Sequence, residues 1–188
     1  MNIALTGKLR SGKSEAANYL VMLHYYEQFA FGDALKADFH RRYPEIPPDP
    51  KPRVGYQMRG QMMRRLIGED VWVRKCFEEI TGKAIYHDAQ RLKPAFRAVI
   101  TDLRQPNEFE AVKASGYVVV RINCPDDLRL ERAKTAGDSF RPEDLTHETE
   151  QYVDTFAADY DVDNTGSLTD LYAQMDDIVR ELQRGAIG

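Results

Sequence analysis

The sequence predicts an α/β protein of three layers, with helices on both faces of a five-stranded, mostly parallel sheet. Three observations carry this. Short apolar runs alternate along the chain with stretches of helical periodicity. Residues 117–122, with Val118, Val119 and Val120 in succession, have the β-branched composition of a buried strand. Near the end, Leu168, Leu171, Tyr172, Met175, Ile178, Val179 and Leu182 recur at helical spacing, an apolar stripe that must face a core.

In order, residues 2–6 form a short apolar strand and residues 7–12 a loop. From Lys13 a helix follows, with Ala16, Ala17, Leu20, Val21 and Leu23 on its spacing. Residues 28–31 are a second strand, and a helix opens at Asp33. Between Tyr43 and Pro52 stand Pro44, Pro47, Pro48, Pro50 and Pro52, a density that forbids a helix interior or a central strand and makes an extended loop. Residues 55–82 are helical with a break at Gly68. A third strand covers 98–101 and ends at Asp102. A helix over 108–114, the strand 117–122, helices over 126–134 and 148–157 and a last strand over 160–163 complete the alternation. Ser167, with Asp170 three residues on, caps the final helix.

The chain has 188 residues, 43% of them hydrophobic and 30% charged, which suits one domain with a real core. No apolar run approaches the roughly 18–20 residues that span a bilayer. The first residues lack a basic segment followed by an apolar stretch, so no secretory signal is expected. Cys76 and Cys124 lie far apart without a CxxC, which argues against a disulfide framework or a zinc ribbon and for the reducing cytoplasm. The four histidines show no metal-ligand spacing. A net charge of −4 excludes a globally basic nucleic-acid binder. The charge is uneven, however. From Asp33 to Pro94 there are 13 Lys+Arg against 9 Asp+Glu, and elsewhere 13 against 21. A basic middle in an acidic chain suits a small anionic ligand.

Gly7-Lys8-Leu9-Arg10-Ser11-Gly12-Lys13-Ser14 fits G-x-x-x-x-G-K-[ST], directly after a strand and directly before a helix. The chemistry requires these types. Gly7 and Gly12 let the backbone turn tightly and bring N–H groups, those of Lys8, Arg10 and Ser11 among them, against phosphate oxygens. The helix adds its partial positive end. Lys13 reaches the β- and γ-phosphates as a mobile charge, and the Ser14 hydroxyl ligates Mg²⁺. ATP with Mg²⁺ is therefore the expected ligand. No guanine-selecting N-K-x-D follows a strand, and the chain is short for a motor ATPase. A small chain with a basic insert between the second and third strands instead suggests a kinase of small metabolites.

Ligands of parallel sheets sit beyond the carboxyl ends of the strands. The segments there, together with the P-loop, carry a resemblance. Phe31-Gly32-Asp33-Ala34-Leu35-Lys36, Asp102-Leu103-Arg104-Gln105-Pro106-Asn107-Glu108, the pair Arg129 and Arg132, His147-Glu148-Thr149-Glu150 and Asn164-Thr165-Gly166-Ser167-Leu168 resemble phage-type deoxynucleoside monophosphate kinases. Phosphomevalonate kinases and dephospho-coenzyme A kinases are similar more distantly. The resemblance implies a nucleoside monophosphate kinase-like P-loop NTPase fold in a single domain over 1–188. It implies a helical acceptor-binding insert over about 33–95 and a lid over about 126–147.

It also implies roles. Asp102 holds Mg²⁺ through its waters, beside Ser14. Arg104 grips the acceptor phosphate as a fork. Arg129 and Arg132, three apart on one helix face, stack on adenine or neutralise the transferring phosphoryl group. Asn164 and Gly166 line the adenine edge. Asp33, Lys36, Arg59, Arg64 and Arg65 face the acceptor, although Arg59 and Arg64 are five apart, so that only a bend or a different reach lets both meet one phosphate. Trp72 or Tyr56 stacks on a base, with core packing as the alternative for Trp72.

The implied reaction moves the γ-phosphoryl group of ATP to a nucleoside 5′-monophosphate. Acceptors of the dephospho-coenzyme A type would need a carboxylate base, for which Asp33 is placed. A non-catalytic nucleotide-binding module is the third reading. A homodimer is among the assemblies the chain allows.

Overall fold

In the computed structural model, which describes residues 1–135 and 152–185, the five strands pair into one parallel sheet. The order of elements is β1 (Ile3–Thr6), α1 (Lys13–His24), β2 (Glu27–Phe29), α2 (Phe31–Arg42), α3 (Arg53–Ile67), α4 (Val71–Ala89), β3 (Ala98–Leu103), α5 (Pro106–Ala114), β4 (Val118–Asn123), α6 (Asp126–Thr135), a 3₁₀ turn (Val153–Thr155), β5 (Tyr160–Asp163) and α7 (Leu168–Gly185). The strand order is β2-β3-β1-β4-β5. β1 is central and wholly buried, which is why it carries no charge. Ile3 to Thr6 runs in register with Val118 to Arg121 of β4. On its other side Ile3 pairs with Val99 and Ala4 with Ile100, but Thr6 pairs with Leu103. The slip puts Thr101 and Asp102 together opposite Leu5.

The chain divides into two units, residues 1–28 with 96–188 and residues 29–95. In the first unit, α1 and α7 cover one sheet face. Ala16, Ala17 and Leu20 of α1 meet Leu171, Met175, Ile178 and Val179 of α7 over Leu5, Val120, Ile122 and Val162 of the sheet. The small alanines let α1 lie close. On the other face, Phe109 of α5 stacks on Phe156, with ring centroids 4.8 Å apart. The expected cap of α7 is formed: the Asp170 carboxylate accepts from the Ser167 N–H at 2.9 Å. The second unit packs α2, α3 and α4 around Phe31, Phe39, Tyr56, Trp72, Val73, Cys76 and Ile80. Its helices α3 and α4 part at Gly68, as the break in periodicity predicts.

Several boundaries differ from the sequence expectation. β2 ends at Phe29, and Phe31 opens α2 instead of closing the strand. Phe31 is buried against Phe77 of α4, and a short apolar run does not distinguish a strand from a buried helix start. β3 runs on to Leu103, so Asp102 lies inside the strand; Leu103 is fully buried and its carbonyl accepts from the Thr6 hydroxyl at 3.0 Å. α5 starts at Pro106, two residues early, because Gln105 and Glu108 form a reciprocal capping box with proline at the first helical position. α4 continues past Gly82 to Ala89. Of the helix expected over 148–157, residues 148–151 lie outside the described residues, and 153–155 form a single 3₁₀ turn.

Candidate functional site

The site is built on the loop between β1 and α1. Gly7 has φ +145°, and a Cβ there would stand 2.6 Å from the Ile122 carbonyl oxygen of β4. The glycine is therefore imposed by close approach to the neighbouring strand as well as by its turn. Lys13 folds back over the loop, its ammonium donating to the carbonyls of Gly7 at 2.5 Å and Lys8 at 2.7 Å. It is buried, so these carbonyls replace water around the charge. Arg10 adopts φ +62°, the left-handed turn that a concave run of N–H groups requires. Among the described residues the buried Ser11 hydroxyl has no hydrogen-bond partner. A phosphate oxygen would satisfy it.

Other strand ends converge on this loop. Arg129 of α6 is 3% exposed and donates to the Leu9 carbonyl at 2.7 Å while also holding Asp126 at 2.7 Å. The Arg129 hydrogen bond keeps the Asp126 carboxyl below its ordinary range, against a smaller opposing effect of burial. Arg132 donates to the Asn164 carbonyl at 3.0 Å and to the Cys124 sulfur at 3.3 Å. Burial pushes the Cys124 thiol up despite Arg132 and Arg129, so it is held protonated. The Asn164 amide donates to the Ser11 carbonyl at 2.7 Å. Thus Arg129, Arg132 and Asn164 all meet at the loop or its supports. The expected lid beyond residue 135, His147 included, lies outside the described residues.

Ser14 is exposed on the first turn of α1, and Asp102 is half-buried near the carboxyl end of β3. Hydroxyl and carboxylate oxygens are the donors a hard cation takes, and Mg²⁺ bound through substrate phosphates needs only one or two from protein. The donor set fits that ion. Among the described residues no cluster of three or more His, Cys, Asp or Glu could hold a metal by itself. Beside Asp102, Arg104 follows β3, and the Glu108 carboxylate accepts from the backbone N–H groups of Arg104 at 2.9 Å and Gln105 at 3.0 Å. The motif after β3 is thus partly a helix cap that fixes where Arg104 leaves the strand.

A cavity of about 260 Å³ opens beside the loop, lined by Gly7, Lys8, Asn123, Cys124, Asp154 and Asp163 among others. Lys8 and Asp154 form an ion pair at 2.9 Å on its wall. Thr165 also lines it, and its N–H and hydroxyl both donate to Asp163. On its lining, Arg121 of β4 grips Asp161 of β5 as a fork at 2.7 and 3.1 Å, and Asn123 donates to the same carboxylate at 2.8 Å. The Arg121 hydrogen bond holds the Asp161 carboxyl below its ordinary value. The folded pKa is thus lower than the unfolded one. The stability gained is complete above roughly pH 4 and is lost as pH falls through the lowered pKa. The melting midpoint of the native chain should therefore exceed that of Asp161→Asn at neutral pH, and the gap should close as pH falls below about 4. A gap constant down to strong acid would show that the pairing contributes through shape alone.

Within the second unit, the expected acceptor residues are mostly engaged. Asp33 and Lys36 pair at 2.6 Å along the first turns of α2. Arg59 of α3 is drawn to Asp38 of α2 at 2.6 Å, both largely buried. Arg64 is half-buried on α3 and Arg65 exposed beside it. The Trp72 ring is 3% exposed, its indole N–H directed at the Gly60 carbonyl at 3.4 Å. It packs α3 against α4, the alternative fate for such a residue, and Tyr56 is likewise buried, with its hydroxyl on His40 at 2.6 Å. The sequence reading assigns no role to Asp126 or Glu108, though both stand in its strand-end segments, and does not reach Asp154. Asp126 was findable three residues before Arg129, and Glu108 in the pattern Gln-Pro-x-Glu. The Lys8–Asp154 pair, 146 residues apart in the chain, has no local signal.

No protein-family model matches the chain, and no curated protein matches it in sequence. Solved structures do. The protein TT1252 from Thermus thermophilus is 20% identical, with a TM-score of 0.55 and 97% of each chain covered. A shikimate kinase from Aquifex aeolicus is 18% identical, with a TM-score of 0.51, 100% of this chain and 99% of the other covered. With the strand order 2-3-1-4-5, these likenesses establish a P-loop fold of the nucleoside monophosphate kinase-like type.

Proposed function

We propose that the chain is an ATP-dependent phosphotransferase that moves the γ-phosphoryl group of ATP to a nucleoside 5′-monophosphate, giving the diphosphate. The observation that carries the reading is the loop itself, with Lys13 buried over it and the Ser11 hydroxyl without a partner. A triphosphate would give the Ser11 hydroxyl an acceptor and would offer Lys13 anionic oxygens in place of the two neutral carbonyls it holds. The fold, shared with a kinase of a small metabolite, supports transfer over motor or switch functions.

In this reading the loop N–H groups and Lys13 bind the β- and γ-phosphates. Ser14 and Asp102 hold Mg²⁺, which when bound neutralises charge on the phosphate oxygens. Lys8, Arg10, Asn164 and Gly166 serve the ATP side, whose base the cavity beside Lys8 would take. Arg104 serves the acceptor side; within the second unit Lys36 and Arg64 are the proposed cations for the acceptor, Arg59 being committed to Asp38, and Trp72 supports that unit through packing. The acceptor phosphate has a second pKa near ~6 and is already ionised at neutral pH, so no base is required. Catalysis is then positioning and charge neutralisation by Lys13, Arg104, Arg129 and Arg132.

A hydroxyl acceptor is the second reading, favoured by the likeness to a shikimate kinase. There Asp33 would be the base. In the lead reading it orients the acceptor, which agrees with its engagement by Lys36 at 2.6 Å. Asp33→Asn is expected to raise KM and leave kcat within about tenfold; a fall in kcat of about 10²–10⁴ would favour the hydroxyl acceptor. The assay follows ADP formation from Mg·ATP with each ribo- and deoxynucleoside monophosphate, dephospho-coenzyme A, phosphomevalonate and shikimate. ATP binding without turnover of any of them would leave a non-catalytic module.

A further inference from the structure

A loop that gathers N–H groups toward an anion must turn carbonyls away from it, and buried carbonyls need donors. Here those donors are in place. Gly7 and Lys8 are served by Lys13, Leu9 by Arg129, and Gly12 by the Ala16 N–H at 3.0 Å. Ser11 is 1% exposed, and the donor to its carbonyl is the amide of Asn164. Because a carbonyl can only accept, the amide nitrogen, not its oxygen, faces the loop.

Asn164 is itself held on both sides. Its N–H donates to the Asn123 carbonyl at 2.8 Å, and its own carbonyl accepts from Arg132. Its amide nitrogen also lies where a Cβ on Gly12 would fall. Gly12 has φ +107°, so two features require the second glycine of the loop, and one of them is Asn164 rather than a phosphate. The side chain is 4% exposed and committed to the loop.

We infer that Asn164 is a positioning residue for the phosphate loop: through the Ser11 carbonyl and the Gly12 backbone it sets triphosphate affinity and does not read the base. The inference rests on the reading of residues 7–14 as a phosphate site. It differs from a role at the adenine edge, where the side chain would face the ligand.

A probe without base or sugar separates the two. Inorganic tripolyphosphate and ATP are titrated calorimetrically into the full chain and into Asn164→Asp, which keeps the shape but sets a carboxylate oxygen against the Ser11 carbonyl. Asn164→Ser, polar and too short to reach, is measured alongside, and decides the matter if the aspartate variant does not fold. The expected result is a rise in Kd of fivefold or more for both ligands, by the same factor, in protein shown by its melting curve to be folded. A tripolyphosphate Kd raised less than fivefold overturns the inference. If ATP alone weakens, the residue serves the base; if only the melting midpoint falls, its role is structural. Failure of the native chain to bind tripolyphosphate would instead refute the phosphate site itself.

Discussion

Lys13→Ala is expected to lower kcat/KM for phosphoryl transfer by about 10³-fold or more, with the protein still folded. The ammonium is buried, and the neutral carbonyls of Gly7 and Lys8 hold it at 2.5 and 2.7 Å. Those contacts keep the charge desolvated and close to the loop, ready to exchange two carbonyls for phosphate oxygens. In the proposed transfer the same charge would meet a phosphoryl group whose negative charge is spread over several oxygens. Removing one preorganised donor at such a site costs about 10²–10³ in turnover, and losing a full charge costs more. Folding should suffer less. The Gly7 carbonyl loses its Lys13 donor, at a cost of about 1–3 kcal/mol, while the Lys8 carbonyl keeps the Ser11 N–H at 3.1 Å; against this, the cost of burying an ammonium is removed. ADP release measures the first effect and a thermal melt the second. A variant that retained native turnover would remove Lys13, and with it the loop, from the chemistry.

The loop was legible because its information is local: eight consecutive residues, a strand before them and a helix after. The same holds for α7, whose stripe from Leu171 to Val179 is buried as its spacing predicts, although Leu168 at its start is exposed. Legibility ended where the partner lies far along the chain. Nothing near Asn164 announces that its amide reaches a carbonyl 153 residues away, or that Arg129 reaches across 120. Arginines suggest anionic ligands, yet Arg59 of α3 is tied to Asp38 of α2 and Arg121 of β4 to Asp161 of β5, pairs whose members sit on different elements. Boundaries failed for a related reason. Leu103 looks like the start of a turn until the Thr6 hydroxyl is seen to fix it into the sheet. Phe31 looks like the end of a strand until its burial within a helical unit is known. Sequence spacing reports periodicity, and periodicity does not say which neighbour an apolar residue meets.

Leu171→Ala should produce the largest loss of stability among single truncations of α7, about 2–5 kcal/mol. Leu171 is fully buried, and it joins α7 to Ala16, Ala17 and Leu20 of α1 and to the sheet beneath. The methyl groups of Ala16 and Ala17 are too short to fill the space left behind, so much of the cavity would persist and its cost would approach the upper end of that range. Against a total stability of about 5–15 kcal/mol this is a large fraction, readable as a shift of the urea midpoint. Leu171 is also the first buried residue of α7 after the segment that carries Asn164. If folding is all-or-none, the molecules still folded at low temperature keep Asn164 against Ser11, and turnover per folded molecule is unchanged. A fall in turnover without unfolding would mean that the start of α7 can open by itself, taking the brace on the loop with it. The two outcomes separate a helix that only stabilises the sheet from one whose first turn also governs the phosphate site.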